Sequence, residues 1–236
     1  MKKTQKKNNK NLIKFLIIYS KKNQADILCL KHIKKFKIDL KTVCSSDFRK
    51  ENLKKKFKHW NGDYIIHLSS YYKLCESDLS RAKFAINFHP SSPKYPGSGG
   101  YSKAIYNLDK NFGITAHFMN KKIDNGKIIK YFSFKLSKNL TLKQLINKTN
   151  KHKFYAFKKI LSLILKPFAD EILLKLAKKN KYYWSKKRGT IRDIDNLQKI
   201  TPNTSKEKLH KVIKSTMIGR YKPYIKLHGY KFEIKL

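Results

Sequence analysis

Acidic residues are few in this chain: 15 Asp and Glu against 56 Lys and Arg in 236 residues, a formal net charge of +41. Arginine is scarce too, at five of those 56. A large positive charge invites a nucleic-acid reading. Yet the lysines are spread along the chain, and Lys, Asn and Ile are abundant together, as in the products of an AT-rich genome. The charge is therefore read as solvated faces and a general field suited to an anionic small substrate, and nucleic acid is not the expected partner. The three cysteines, Cys29, Cys44 and Cys75, form no CxxC pair. That excludes a disulfide framework and fits a reducing cytoplasm. The eight histidines contain no HxxxH, so no metal is expected. There is no GxGxxG and no Walker sequence, hence no nucleotide cofactor. The longest apolar stretch, "ILSLILKPFADEILLKL" at 160–176, carries lysines, acids and a proline, which excludes a membrane span. The start of the chain is basic and then apolar, but the apolar run is short, interrupted by Lys14 and without a small-residue cleavage site. Residues 1–12 are expected to be a disordered basic leader, not a signal peptide.

The apolar fraction is 40%, enough for one good core. Residues 13–20 (IKFLIIYS) read as a buried strand, 23–36 as a helix with Ile27, Leu30 and Ile33 near one face, 38–46 as a strand, 46–60 as a helix and 63–70 (DYIIHLSS) as a strand. Strand and helix alternating with short connections predict an α/β fold with a mainly parallel sheet. A fourth strand, KFAINFH, ends at residue 89. A helix at 100–109 follows, then two β-rich segments, 113–119 and 127–134, which can pair across NKKIDNG. A long helical region spans about 140–178. Residues 179–210 read as polar and irregular with a short helix. The end of the chain alternates on both sides of His228-Gly229 and predicts a β-hairpin over 222–236, with Ile225, Leu227, Tyr230, Phe232 and Ile234 packing on a larger body. The organisation expected is a catalytic domain over 13–178 and a small helix, loop and hairpin region over 179–236.

Proline and glycine are also sparse, at six and nine, but three of each fall within residues 90–100. Just before that turn-rich loop come Asn87 and His89. Two residues apart on a strand, they share a face, at the carboxyl end where open α/β sheets place their ligands. His117 and Asp124 come from the later β region. One fold can thus gather an amide, imidazoles and a carboxylate. Taken singly, each has a plain structural reading: Asn as a turn former, His as a core residue, Asp-Asn-Gly as a turn. GSGG opening a helix suggests a phosphate cradle only weakly, since a tight turn explains it as well.

The ordered set Asn87-Phe88-His89-Pro90-Ser91, a Pro/Gly-rich loop, Gly113-Ile114-Thr115-Ala116-His117, then Asp124-Asn125-Gly126 resembles the folate-dependent formyltransferase family. The resemblance covers roughly residues 13–165 and is densest over 84–130. The family loop carries Arg-Gly where this chain has Pro96-Gly97. The resemblance implies a Rossmann-like formyltransferase fold and transfer of a formyl group from 10-formyltetrahydrofolate to an amine, without a metal. It implies Asn87, His89 and Asp124 as catalytic residues, with His117 and Thr115 supporting them. Asn87 and protonated His89 would donate to the developing oxyanion, and Asp124 would take the proton of the attacking amine. The pterin would lie against the loop Ser70, Tyr71, Tyr72, Lys73 and Leu74, with Asn87 at its end and residues 120–124, Lys121 and Ile123 among them, as the other wall.

Three acceptors are compatible with the resemblance. Methionyl-tRNA enzymes carry a C-terminal RNA-binding barrel, for which the residues after 165 are too few. Glycinamide ribonucleotide enzymes are little more than the catalytic domain. Nucleotide-linked amino-sugar enzymes, the favoured group, resemble this chain in their short C-terminal region. On that reading Ser91, Tyr95, Gly97, Trp184, Arg188 and Arg192 bind the acceptor, and a homodimer is possible. A rival reading is a non-catalytic, basic RNA-binding module.

Overall fold

The computed structural model describes residues 12–47, 50–70, 72–219 and 221–235, so most of the basic leader lies outside it, as does Tyr71. The elements in chain order are β1 (Lys14–Tyr19), α1 (Gln24–Ile33), β2 (Asp39–Cys44), α2 (Lys50–Lys55), β3 (Gly62–His67), α3 (Glu76–Leu79), β4 (Ala82–His89), α4 (Gly100–Tyr106), β5 (Asn111–Phe118) and β6 (Ile128–Lys135). They are followed by α5 (Leu142–Ile164), α6 (Ala169–Lys179), α7 (Ile191–Gln198), β7 (Lys199–Ile200), α8 (Lys206–Thr216), β8 (Tyr224–Leu227) and β9 (Tyr230–Glu233). Six strands form one sheet in the order β2-β1-β3-β4-β5-β6, parallel through β4 and antiparallel across β5 and β6.

β1 shows why its run is apolar without interruption. Phe15 and Ile17 pack with α1, α5 and α6 on one face, and Leu16 and Ile18 pack with Leu53, Phe57 and Leu74 on the other. A strand covered on both faces needs apolar side chains at every position. One polar fastener crosses this core. Lys153 of α5 is fully buried, its Nζ 2.5 Å from Asp26 Oδ1 on α1 and 2.5 Å from Ser69 Oγ just past β3. Asp26 also accepts from the backbone N–H groups of Ser20 (2.9 Å) and Ser69 (3.0 Å). The carboxyl ends of β1 and β3 are thereby tied to two helices.

One expectation is refined and two are corrected. The long helical region is two helices: Pro167 cannot continue α5, and Phe168 takes a left-handed conformation (φ 58°) before α6 begins. The polar region 179–210 holds α7 and the start of α8, a helix that continues to Thr216. A Ser205 side chain caps it, accepting from Lys208 N, and its few apolar residues pack on α4. The terminal hairpin forms, but it does not lay its apolar side chains on the catalytic body. Tyr224 is buried, whereas Leu227, Tyr230 and Phe232 are exposed. Its sheet is the short β7-β8-β9 ribbon, which anchors only the base of the hairpin. Among the described residues no helix is long and apolar enough to cross a membrane.

Candidate active site

The register of β3, β4 and β5 lays a row of polar side chains across the sheet. Asn87 pairs with His67 on its parallel neighbour and with His117 on its antiparallel one. Side chains paired across neighbouring strands stand on one face. Asp124 enters from the β5–β6 connection with a left-handed backbone (φ 46°), a conformation Asp tolerates better than most residues.

The contacts fix proton positions. His117 Nδ1 lies 2.8 Å from the Phe118 carbonyl and must donate to it, so neutral His117 presents Nε2 as an acceptor. Asn87 Nδ2 meets that demand, donating to His117 Nε2 (3.1 Å) and to Asp124 Oδ1 (3.2 Å). His89 stands between two acceptors: Nε2 is 2.9 Å from the Tyr95 carbonyl, and Nδ1 is 3.2 Å from Asp124 Oδ2. Either neutral tautomer leaves one lone pair facing an oxygen, and only the imidazolium satisfies both. Burial pushes His89 below its ordinary value, with Asp124 and the Tyr95 carbonyl pulling the other way. Burial is the largest of these effects, so the ring gives up its second proton more readily than an ordinary imidazole. Burial of Asp124 opposes its ionisation, but His89, His117 and the Gly97 N–H (2.8 Å from Oδ2) overcome it and hold the carboxyl at about 2. Asp124 is thus a carboxylate at any working pH.

These groups close one end of a cavity of about 200 Å³. Ser70, Tyr72, Lys73 and Leu74 form one wall, and Met119 to Ile123, with Lys121, form the other. The Tyr72 ring turns away to Phe57 and its hydroxyl donates to Asp78, so its contribution to the cavity is backbone. Among the described residues no group of His, Cys, Asp and Glu is arranged to hold a metal ion.

Other expected residues fall elsewhere. Ser91 is buried, its hydroxyl packed under Gly100 and its carbonyl taken by Thr115 Oγ1 at 2.7 Å. It does not line the cavity, because the turn after β4 folds it beneath α4. Tyr95 is buried and offers the site its carbonyl, while its hydroxyl donates to Asp109. Gly97 offers its N–H. Trp184 stands edge-on to both His89 and His117, with ring centroids 5.7 Å and 4.9 Å away. Arg188 and Arg192 are exposed and do not line the cavity.

Sequence reasoning missed His67. It is buried and lines the cavity; Nε2 must donate to the Tyr72 carbonyl at 2.9 Å, and its buried Nδ1 has no hydrogen-bond partner among the described residues. Burial lowers its pKa. The rule that found Asn87, a polar residue at the carboxyl end of a buried parallel strand, finds His67 in "DYIIHL" just as well.

With this geometry in place, the comparisons decide the family. The formyl transferase profile matches residues 1–161. The chain belongs to the formyl transferase family. It is 37% identical over 111 residues to the bifunctional polymyxin resistance protein ArnA of Wigglesworthia glossinidia brevipalpis, a match that takes in 45% of this chain and 17% of the relative. The chain thus matches under a fifth of that relative's length. Its fold is that of a 4-N formyltransferase from Francisella tularensis, with a TM-score of 0.71 at 18% identity over 94% of this chain and 97% of the other. An N-formyltransferase from Helicobacter canadensis, solved with folinic acid and dTDP-3-aminofucose, superposes with a TM-score of 0.67 at 18% identity over 92% of this chain and 85% of the other. These likenesses extend past residue 161 into the formyltransferase's C-terminal region.

Proposed function

We propose that this formyltransferase moves a formyl group from 10-formyltetrahydrofolate to the amino group of a nucleotide-linked amino sugar. The observation that carries the reading is the packed set Asn87, His89, His117 and Asp124 at the end of a cavity, in a chain of this family.

The cavity fits the donor's head. At about 200 Å³ it falls below the roughly 300 Å³ of a pocket for a whole drug-sized ligand. It suits the bicyclic pterin, with the rest of the donor outside. The wall of Ser70, Lys73 and Leu74 is where the pterin edge would be read, and Leu74, Met119 and Ile123 supply apolar faces. The donor, when bound, would supply the formyl carbon on N10; the new bond from the amine to that carbon replaces the carbon–N10 bond, and N10 leaves with the proton that the amine gives up. Asn87 and His89 would turn an N–H from its present partner, Asp124 or His117 for the amide and the Tyr95 carbonyl for the ring, toward the formyl oxygen as negative charge grows there; one such donor is worth about 10²- to 10³-fold in rate. Asp124, ionised and fixed from three sides, receives the proton the attacking amine must lose and returns it to the departing N10. His117 holds the Asn87 amide in place.

The acceptor fits the other side of Trp184. There a broader cleft of about 620 Å³ is bordered by Tyr182, Tyr183, Lys127 and Lys178. Tyrosine faces suit a base, and lysines suit a diphosphate. The exposed hairpin face Leu227, Tyr230 and Phe232 is where a second copy would pack in a homodimer, and a cytoplasmic enzyme fits the free thiols.

The test is formyl transfer by purified protein from 10-formyltetrahydrofolate to a panel of nucleotide-linked amino sugars, with glycinamide ribonucleotide and methionyl-tRNA alongside, read as a formamide product by mass. Product with an amino sugar is expected. Product only with one of the other two acceptors overturns the acceptor, and product with none overturns the reading. Removing residues after 178 is expected to raise the acceptor KM and leave the donor KM in place.

A further inference from the structure

The family profile ends at residue 161, yet residues 184–190 are sewn into the catalytic loop. Ser185 N donates to the Pro93 carbonyl (2.9 Å), Gly189 N to Pro96 (2.7 Å), and Ser98 N to Gly189 (2.9 Å), so Gly97 and Gly189 pair as in a parallel ladder. The approach is close enough to demand glycine on both sides. A Cβ on Gly189 would meet the Ser98 carbonyl at 2.1 Å, and one on Gly97, already at φ 80°, would meet the Gly189 carbonyl at 2.3 Å. The same Gly97 gives its N–H to Asp124. At the head of the segment, Trp184 Nε1 donates to the Gly126 carbonyl (2.8 Å), in the turn that carries Asp124, and its ring lies against both His89 and His117.

We propose that residues 184–190 are a positioning brace for the catalytic groups. Trp184 fixes the two imidazoles and shields His89 from water. Gly189 sets the height of the 96–98 loop, and through the Gly97 N–H it sets the orientation of the Asp124 carboxylate. Neither residue touches the reacting atoms; each acts through groups that do. The proposal deepens the formyl-transfer reading and rests on it for the kinetics alone, because the state of His89 is measurable without any substrate.

The test uses the full chain and three substitutions, Trp184→Leu, Trp184→Phe and Gly189→Ala. Histidine ring resonances are titrated by NMR, and kcat and KM are measured for donor and acceptor. In Trp184→Leu, water reaches His89, and its midpoint is expected to rise toward the ordinary imidazole value of 6.5. The His117 ring resonances should move with it, since the indole edge is gone. A misplaced catalytic group costs on the order of 10²-fold, so kcat should fall by about that much while the donor KM stays put. Trp184→Phe, which keeps a ring edge and loses the N–H, should recover part of both. Gly189→Ala should lower kcat and leave the His89 midpoint nearer that of the parent. An unchanged His89 midpoint in Trp184→Leu overturns the brace, as does an unchanged kcat in both Trp184→Leu and Gly189→Ala. If Trp184→Leu fails to fold by circular dichroism, Trp184→Phe decides by the same titration. A parent chain that transfers no formyl group to any amine sinks the function while the titration still decides the brace.

Discussion

Two antiparallel connections in this molecule contain a residue with nearly the same left-handed backbone. Asp124, between β5 and β6, has φ 46°, and His228, between β8 and β9, has φ 47°. His228 needs nothing beyond its neighbours. With Gly229 at φ 83° it makes the two-residue turn whose twist matches a hairpin, and it projects into solvent. Asp124 is buried, and its oxygens meet Asn87, His89, His117 and the Gly97 N–H, four residues from three other segments of the chain. One conformation thus serves as a local turn in one place and as a fixed carboxylate in the other. What makes Asp124 chemical is its tertiary surroundings, not its turn.

The contrast can be broken at its strongest point first. Asp124→Asn and His89→Asn should each lower turnover by at least about 10²-fold with the far-UV spectrum unchanged; near-normal single-turnover rates in either would remove the assignment. Next comes the contrast between a buried ion pair and an exposed one. Lys153→Met strands a carboxylate in the core and should cost about 3–5 kcal/mol in urea denaturation, with part recovered when Asp26→Asn is added. The exposed pair Lys231–Glu233 on the hairpin, 2.8 Å apart, should show no shift of midpoint when Lys231 becomes Met.

A smaller effect follows from the buried histidines. His67 and His89 both have pKa values lowered by burial, so the unfolded chain takes up protons near 6.5 while the native chain waits for a lower pH. Stability is therefore fully present above 6.5 and is lost as pH falls toward the native values. The urea midpoint should drop between pH 7 and pH 5.5, and His67→Gln should flatten part of that slope. The least effect is expected at the hairpin tip. Phe232→Ser and His228→Asn should leave the stability of a dilute, monomeric chain in place, because neither side chain is buried within it. A large loss there would mean the hairpin packs against a second copy.

Much of this was legible in the chain. The sheet strands announce themselves by apolar runs, and the Asn87–His89 spacing with the loop behind it points to the end of β4. What could not be read is what depends on approach between distant segments. Nothing local says that Trp184 meets His117 or that Gly189 lies beside Gly97; those pairings are set by packing across more than sixty residues. His67 was legible and overlooked, for it ends an apolar run as Asn87 does. α8 hid because its apolar residues are few and its partner, α4, lies 100 residues earlier. The hairpin was found by its alternation, but alternation says only that one face differs from the other, not that the chain supplies a cover for it.

The Lys153–Asp26–Ser69 fastener has a consequence for the order in which the protein is made. Lys153 lies 127 residues from Asp26 and 84 from Ser69, so the contact closes a very long loop. Until α5 has been synthesised and has docked, the carboxylate of Asp26 has no cation, and the segment after β3 lacks its clamp. Contacts of such separation form late, after their closure entropy is met by packing elsewhere. A nascent chain can therefore assemble β1 to β4, with Asn87 and His89 in place, and still have no shaped cavity wall. The cavity is among the last parts of the molecule to exist, and refolding should restore secondary structure before it restores the packed set around Asp124.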